Sequence, residues 1–539
     1  MPRPSILAIS VTAVAAVAVA GSSASSAHPV KQWSPKKGQA LKRPTQIYSH
    51  HGVLKVRLVA RPTVSKVAGS PLGIQGFNGG LIGPTLHVHP GDTIHMRMVN
   101  KTNQMTNIHF HGLHVSPKGI SDNVFREMKP GTNNKVVVHI PRDEAPGSYW
   151  YHSHMHGLVE TQIFGGMSGF IQVEGLGKRL PSGLKGIKKR QLLLKDVQLQ
   201  KGHPDHIATN ENIDPSKHTA RLVNGQLKPH LSIRPGETQL WHIGNIGADL
   251  YYKLHVPGMK FTVIADDGNP VWRTYRTKTL LMTPGQRYDV LVTGAAKRGT
   301  YSLETLHFNQ GFQKVNHHVL AHIRVRGPKT EVEGMPTSMG PNESLANAHI
   351  AKHRKFRFTM KFEPEFQALI NNKVFNPKKI NVVAHLGTVE QWTLINHSKE
   401  DHPFHIHINA FQVMSINGHP YHARSLQDTV NIPKHGGRVV IRIPFQQFTG
   451  EFVFHCHITG HEDFGMMQTV YVVGPGDHHP HPQGPAHPHM PVPAGAMSHM
   501  AVGHSPARRH VSKATLASVR GRVHGKWHCH HHARRAAKT

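Results

Sequence analysis

Cysteine is almost absent: the 539 residues contain two, Cys456 and Cys529. That excludes the multi-disulfide frameworks that staple small exported domains. Acidic residues are scarce as well, 30 against 63 Lys and Arg, which leaves a formal net charge of +33. A surface so basic binds anionic polymers with little specificity, and cell-wall polymers, lipid headgroups or extracellular nucleic acid are the expected kinds. No nucleic-acid-reading motif accompanies the charge, so no specific nucleic-acid partner is expected. Long apolar runs are missing beyond residue 20, and none suits a transmembrane anchor. Helical periodicity is scarce too, which argues against a helical bundle.

What is present begins with an export signal. Met1-Pro2-Arg3-Pro4 precedes an apolar run from Ile6 to Ala20 and a small-residue stretch ending Ser25-Ser26-Ala27. Residues 1–27 read as a secretory signal peptide cleaved after Ala27, giving a secreted or periplasmic protein. Arg3 alone is basic before the run, so no twin-arginine signal is evident. A mature chain of about 510 residues is too long for a single core. An internal repeat divides it. Gly91, Gly236 and Gly387 are each followed nine residues later by Asn, at Asn100, Asn245 and Asn396, and the glycines lie 145 and 151 residues apart. Short strand-like runs between Pro/Gly turns, such as Val439-Val440-Ile441-Arg442-Ile443, mark each unit as a β-sandwich. The expected boundaries are 28–178, 179–328 and 353–475, with a Gly/Pro/Ser linker over 329–352. Around His203-Pro204-Asp205-His206 a solvated loop is expected.

Histidine is abundant, with 49 residues, and its placement matters more than its number. His455-Cys456-His457 stands in the run to His461 and Met466, entered from Glu451-Phe452-Val453-Phe454. On a strand, side chains alternate faces, so His455 and His457 point one way and Cys456 the other; one strand can bridge two metal centres. A thiolate, two imidazoles and a weak methionine form the ligand set of a blue-copper site, and Cys456, His461 and Met466 supply three of the four. Three more His-x-His pairs stand upstream: His109 and His111, His152 and His154, His405 and His407. On strands each pair presents two imidazoles to one face about 7 Å apart. His402, just before His405, is left over for the blue site. His87 and His89 are read as a chance pair on a surface strand.

These four segments, in this order, resemble the four copper-binding motifs of the multicopper oxidases, the laccase-like family, over roughly residues 84–473. The resemblance implies an all-β fold of three consecutive cupredoxin-like Greek-key β-sandwich domains. It implies four copper ions: one type 1 copper at His402, Cys456, His461 and axial Met466; one type 2 copper at His109 and His405; and two type 3 coppers at His111, His152, His154, His407, His455 and His457. It also implies dioxygen as acceptor, reduced to two waters, and acids near the cluster, for which Asp122 and Glu462 are the matching positions. The details of His461-Glu462-Asp463 and Gly465-Met466-Met467 look more like bacterial laccases and cuprous oxidases than fungal enzymes.

The motif-free middle unit reads as a spacer, with the cluster between units one and three. Electrons are expected to enter through an exposed edge of His461 or His402, from a small phenolic or aromatic reductant or from a low-valent metal ion. The alternative is a copper-resistance protein acting mainly as a cuprous oxidase, or a periplasmic copper-binding or storage cupredoxin. Relatives that lost the chemistry lack ligands, whereas this chain lacks none. From residue 476 to 539 strand patterning stops; histidines, prolines and basic pairs prevail, and the segment is expected to be disordered. With Cys456 committed to copper, Cys529 is left as a free thiol, an intermolecular disulfide or a metal ligand.

Overall fold

The computed structural model describes residues 32–476, except 201–202, 208–219, 313 and 332, together with Pro482. The expected signal peptide and nearly all of the histidine-rich tail, with Cys529, lie outside the described residues.

Three β-sandwiches follow one another, each made of a five-stranded and a six-stranded sheet. The repeat read from the sequence falls on the same strand each time: Thr93–Asn100, Thr238–Asn245 and Thr388–Asn396. Each pairs in parallel with the first long strand of its module, Val53–Val67, Lys189–Val197 and Ile350–Lys361 respectively. The asparagine that closes each strand is fully buried. Its amide nitrogen donates to a carbonyl a few residues on: Asn100 to Gln104 at 2.7 Å, Asn245 to Leu250 at 2.8 Å, Asn396 to Glu400 at 2.7 Å. Its amide oxygen meanwhile accepts the N–H two residues ahead, of Thr102, Gly247 or Ser398. A buried Asn that satisfies both ends of its amide fixes the following loop. In the first and third modules that loop leads to the histidines.

Each module buries its own apolar face. The middle core gathers around Trp241 and Phe261, and the third around Trp392, Phe404 and Phe454. Met335 and Met339 of the linker pack on the middle core rather than forming a methionine-rich surface.

One expectation is corrected. Residues 203–207 are not a loop but a strand, His203–Ile207, which lies between the short edge strand Leu199–Gln200 and Ser70–Phe77 in the first module's six-stranded sheet, His206 opposite Gly73. Its pairing runs through backbone groups, and the segment carries no apolar alternation to betray it. The N-terminal stretch bridges to the middle module, Lys37 to Leu227 and Ala40 to His230.

Candidate metal centre

Strand Gly450–Cys456 runs through the centre of the third module's five-stranded sheet, between strands His402–Ile406 and Met467–Val473. That position fixes what its end can touch. The Cys456 Sγ lies 3.5 Å from His402 Nδ1 and 3.7 Å from His461 Nδ1, and the two Nδ1 atoms are 3.3 Å apart. His461 comes from the short helix Thr459–Asp463, directly after the strand. Met466 is buried in the same cluster of side chains as Cys456, and its carbonyl accepts the Cys456 N–H at 3.0 Å. Met467 packs elsewhere, against Val124, Phe125, Phe375 and Val453.

The other eight histidines converge at the seam of the first and third modules, all fully buried or nearly so. His154, His407 and His455 bring their Nε2 atoms within 3.1–3.3 Å of one another. His111 Nδ1 and His457 Nε2 are 3.3 Å apart, with the His152 ring 5.9 and 5.6 Å from theirs. The His109 and His405 rings stand 5.8 Å apart, and the Nε2 of each is buried without a partner, as is that of His152. Within the four pairs the ring centroids are 5.2–5.7 Å apart, closer than the ~7 Å repeat of a strand. In three of the pairs the second histidine, His154, His407 or His457, lies just past its strand end, where the chain turns inward, whereas His109 and His111 share one short strand.

The electrostatics suit a soft cation. Burial, reinforced by neighbouring imidazoles, holds His109, His152, His154, His407 and His457 well below the usual imidazole range. Burial pushes the Cys456 thiol well above its own. Neutral imidazoles crowd their lone pairs together without N–H donors to satisfy them, a costly arrangement that a bound cation relieves. The nitrogen and sulfur donors fit copper. The remaining ring nitrogens are engaged outward: His109 with Asp122 at 3.0 Å, His405 with the Asp428 carbonyl at 2.8 Å, His152 with the Ser153 carbonyl at 2.8 Å and His455 with the Cys456 carbonyl at 3.0 Å. Such contacts set the tautomer and aim the other nitrogen inward.

Both acids singled out in the sequence reach the cluster. Asp122 also accepts the Phe110 N–H at 3.0 Å, and burial raises its carboxyl to about 7. Glu462 lies 3.1 Å from His455 Nδ1 and 3.3 Å from His154 Nε2. Those distances bring the carboxyl group against both rings, but both its oxygens are buried without a hydrogen bond.

Sequence reasoning missed the contribution of the middle module. Asp428 Oδ1 lies 3.0 Å from His111 Nε2, and Arg287, from the middle module, grips the same carboxylate at 2.9 and 2.6 Å. Burial alone would raise the Asp428 carboxyl, but the guanidinium outweighs it and holds it well below the carboxylate range. Gly285, at φ +86°, sits so close that an added Cβ would lie 3.0 Å from both His111 and His457. The middle module is therefore a wall of the site and not merely a spacer. No histidine motif marks it; a lone Gly285-x-Arg287 and a lone Asp428 in an acid-poor chain were the available signals.

The expected exposed edge is corrected as well. His402 and His461 are buried, because the 397–401 loop folds over both outer nitrogens. Ser398 Oγ lies 2.6 Å from His402 Nε2, and Glu400 Oε2 lies 3.3 Å from His461 Nε2.

Comparison with known proteins decides the family. Three family models, each described as multicopper oxidase, match residues 59–177, 185–327 and 347–476. The chain belongs to the multicopper oxidases. It is similar to a multicopper oxidase of Staphylococcus haemolyticus, 26% identical over 74% of this chain and 83% of that protein. It also resembles the cell division protein FtsP of Edwardsiella tarda, 26% identical over 75% and 87%. Among solved structures, a multicopper oxidase from Campylobacter jejuni, described as a metallo-oxidase, aligns with a TM-score of 0.72 at 26% identity, covering 82% of this chain and 98% of that one. As a multicopper oxidase the protein is a copper-dependent oxidoreductase, and oxygen and a reductant are its substrates. Among the described residues no helix is long and apolar enough to cross a membrane.

Proposed function

We propose that the protein is an exported four-copper oxidase that couples one-electron oxidation of small reductants to reduction of dioxygen to water. His402, Cys456, His461 and Met466 would hold the type 1 copper. His109 and His405 would hold the type 2 copper, and His111, His152, His154, His407, His455 and His457 the type 3 pair. When bound, copper supplies reversible one-electron chemistry and the capacity to take up dioxygen. The chain supplies the rest. Cys456 is bonded through its backbone to both His455 and His457, so a covalent path joins the two ligand groups. Burial keeps bulk water away from both. Asp122 on His109 and Glu462 beside His154 and His455 are the groups placed to hold protons for the four that water formation consumes.

The observation that carries the reading is the joint presence of both ligand groups on one strand end, with no ligand missing. Overall identity cannot carry it, since FtsP matches as well as the oxidase does. Reductants of both classes, phenols or aromatic amines and Cu(I), Fe(II) or Mn(II), fit the reading. The Campylobacter metallo-oxidase favours metal ions, as does an outer edge of His461 covered by Glu400 rather than an open apolar groove. The test is to load the purified protein with copper and measure metal content, colour and oxygen uptake. Four coppers, a blue band and oxygen consumption without peroxide release are expected. A colourless protein, or one that binds copper but takes up no oxygen with any reductant, refutes the oxidase and leaves copper binding or storage. Turnover of a phenol and of Cu(I) in one preparation then ranks the reductants.

A further inference from the structure

The two imidazoles beside Cys456 have unequal outer partners. His402 meets the neutral hydroxyl of Ser398, whereas His461 meets the carboxyl group of Glu400, which is 3% exposed. Glu400 is itself held from the middle module. Gln310, fully buried, donates from Nε2 to Glu400 Oε1 at 3.4 Å and to the Asp249 carbonyl at 3.3 Å. Its Oε1 accepts the Tyr251 N–H at 3.4 Å, and its backbone carbonyl accepts the Asp401 N–H at 2.6 Å. All four contacts of this one side chain and its carbonyl therefore lock the 249–251 loop to the 400–401 loop. The next residue, Gly311, has φ +134°, and a Cβ there would lie 2.5 Å from both Glu400 Cα and the Lys399 carbonyl, so the loop can approach this closely only with glycine.

A carboxylate 3.3 Å from the far nitrogen of a ligating imidazole adds negative charge near the metal, which favours the more highly charged ion. We infer that Glu400, fixed by Gln310 of the middle module, is a positioning residue that lowers the reduction potential of a copper held by His402, Cys456 and His461. The inference rests on the type 1 assignment made above. It gives the middle module a role at the electron-accepting site as well as at the cluster. A lower potential increases the driving force of electron transfer to dioxygen and narrows the range of reductants that can give an electron. The balance is one electron to one Cu(II), with no proton required of Glu400.

The test is an anaerobic redox titration of the blue absorbance in the copper-loaded wild type, Glu400→Gln and Gln310→Ala, with copper content measured in each. Glu400→Gln keeps the shape and the neighbour contacts but removes the carboxylate. It is expected to shift the Cu(II)/Cu(I) equilibrium about tenfold toward Cu(I), equivalent to ~59 mV upward. Gln310→Ala, which leaves the acid in place but unlocked, is expected to move the midpoint the same way by a smaller factor. If Glu400→Gln does not fold, Gln310→Ala alone decides. Midpoints within twofold of the wild type, with full copper and an intact blue band, overturn the inference while leaving the type 1 assignment standing. A wild type that binds copper without a blue band overturns both.

Discussion

Removing the Arg287 guanidinium should damage one copper group and spare the other. The side chain is fully buried and makes five contacts: two to Asp428 at 2.9 and 2.6 Å, one to Asp267 at 3.3 Å, and one each to the Ser148 and Gly285 carbonyls at 3.1 and 3.0 Å. In Arg287→Met two carboxylates face each other without a cation. Breaking a buried pair by removing one partner costs about 3–5 kcal/mol. The lower end applies here, because burial already raises Asp267 to about 7, so that it takes up a proton readily and relieves part of the repulsion. A loss of ~3 kcal/mol in a unit of 150–250 residues corresponds to a fall in Tm of roughly 6–12 °C. Calorimetry on the copper-free protein measures it. In the loaded protein, His111 and the Asp428 carbonyl on His405 lose their fixed support, so cluster copper should fall while the blue band persists, since Cys456, His402 and His461 do not touch Arg287. Arg287→Lys keeps the charge but not the two-pronged grip and should lie between. An unchanged Tm together with a full complement of copper would refute the reasoning, and loss of the blue band before the cluster copper would contradict the assignment of this pair to the cluster side.

Cys456→Ser should abolish the blue band and steady-state oxygen uptake while copper persists at the histidine cluster, checked by absorbance and metal analysis. Met466→Leu should keep copper and activity but raise the midpoint potential, because an axial thioether donates weakly and its loss favours Cu(I); Met467→Leu, whose side chain packs in a different cluster, should leave the potential alone. A chain ending at Gly476 should match the full chain in activity per bound copper when copper is plentiful and load more slowly when it is scarce, since thirteen tail histidines would no longer gather the metal. Equal loading rates at limiting copper would exclude that role and favour a basic anchor, which retention on anionic cells would reveal.

The copper-ligand candidates were legible because the signal is local. Alternation along one strand separates Cys456 from His455 and His457 without any knowledge of the fold, and the Gly-to-Asn interval marks a strand whose final Asn must close a loop. Reading failed where a contact joins distant segments. Arg287 meets Asp428 across 141 residues, and nothing in either neighbourhood announces the other. Burial of His402 and His461 was missed for the same reason, since the cover comes from a loop two to four residues upstream of His402, braced by Gln310 of another module. Strand His203–Ile207 was missed because pairing through backbone alone leaves no pattern in side chains.

The clustered histidines are spread across almost the whole folded chain, with His111 and His457 touching over 346 residues of separation. Synthesis delivers the last five candidate ligands, His455, Cys456, His457, His461 and Met466, only as the final strands emerge, and without them neither proposed copper group has more than part of its donors. A nascent or truncated chain therefore has no completed site in which to trap copper prematurely, and tight retention of the metal becomes a certificate that three modules have closed around one another. Limited proteolysis that cuts any one seam should release copper long before it dissolves the individual sandwiches.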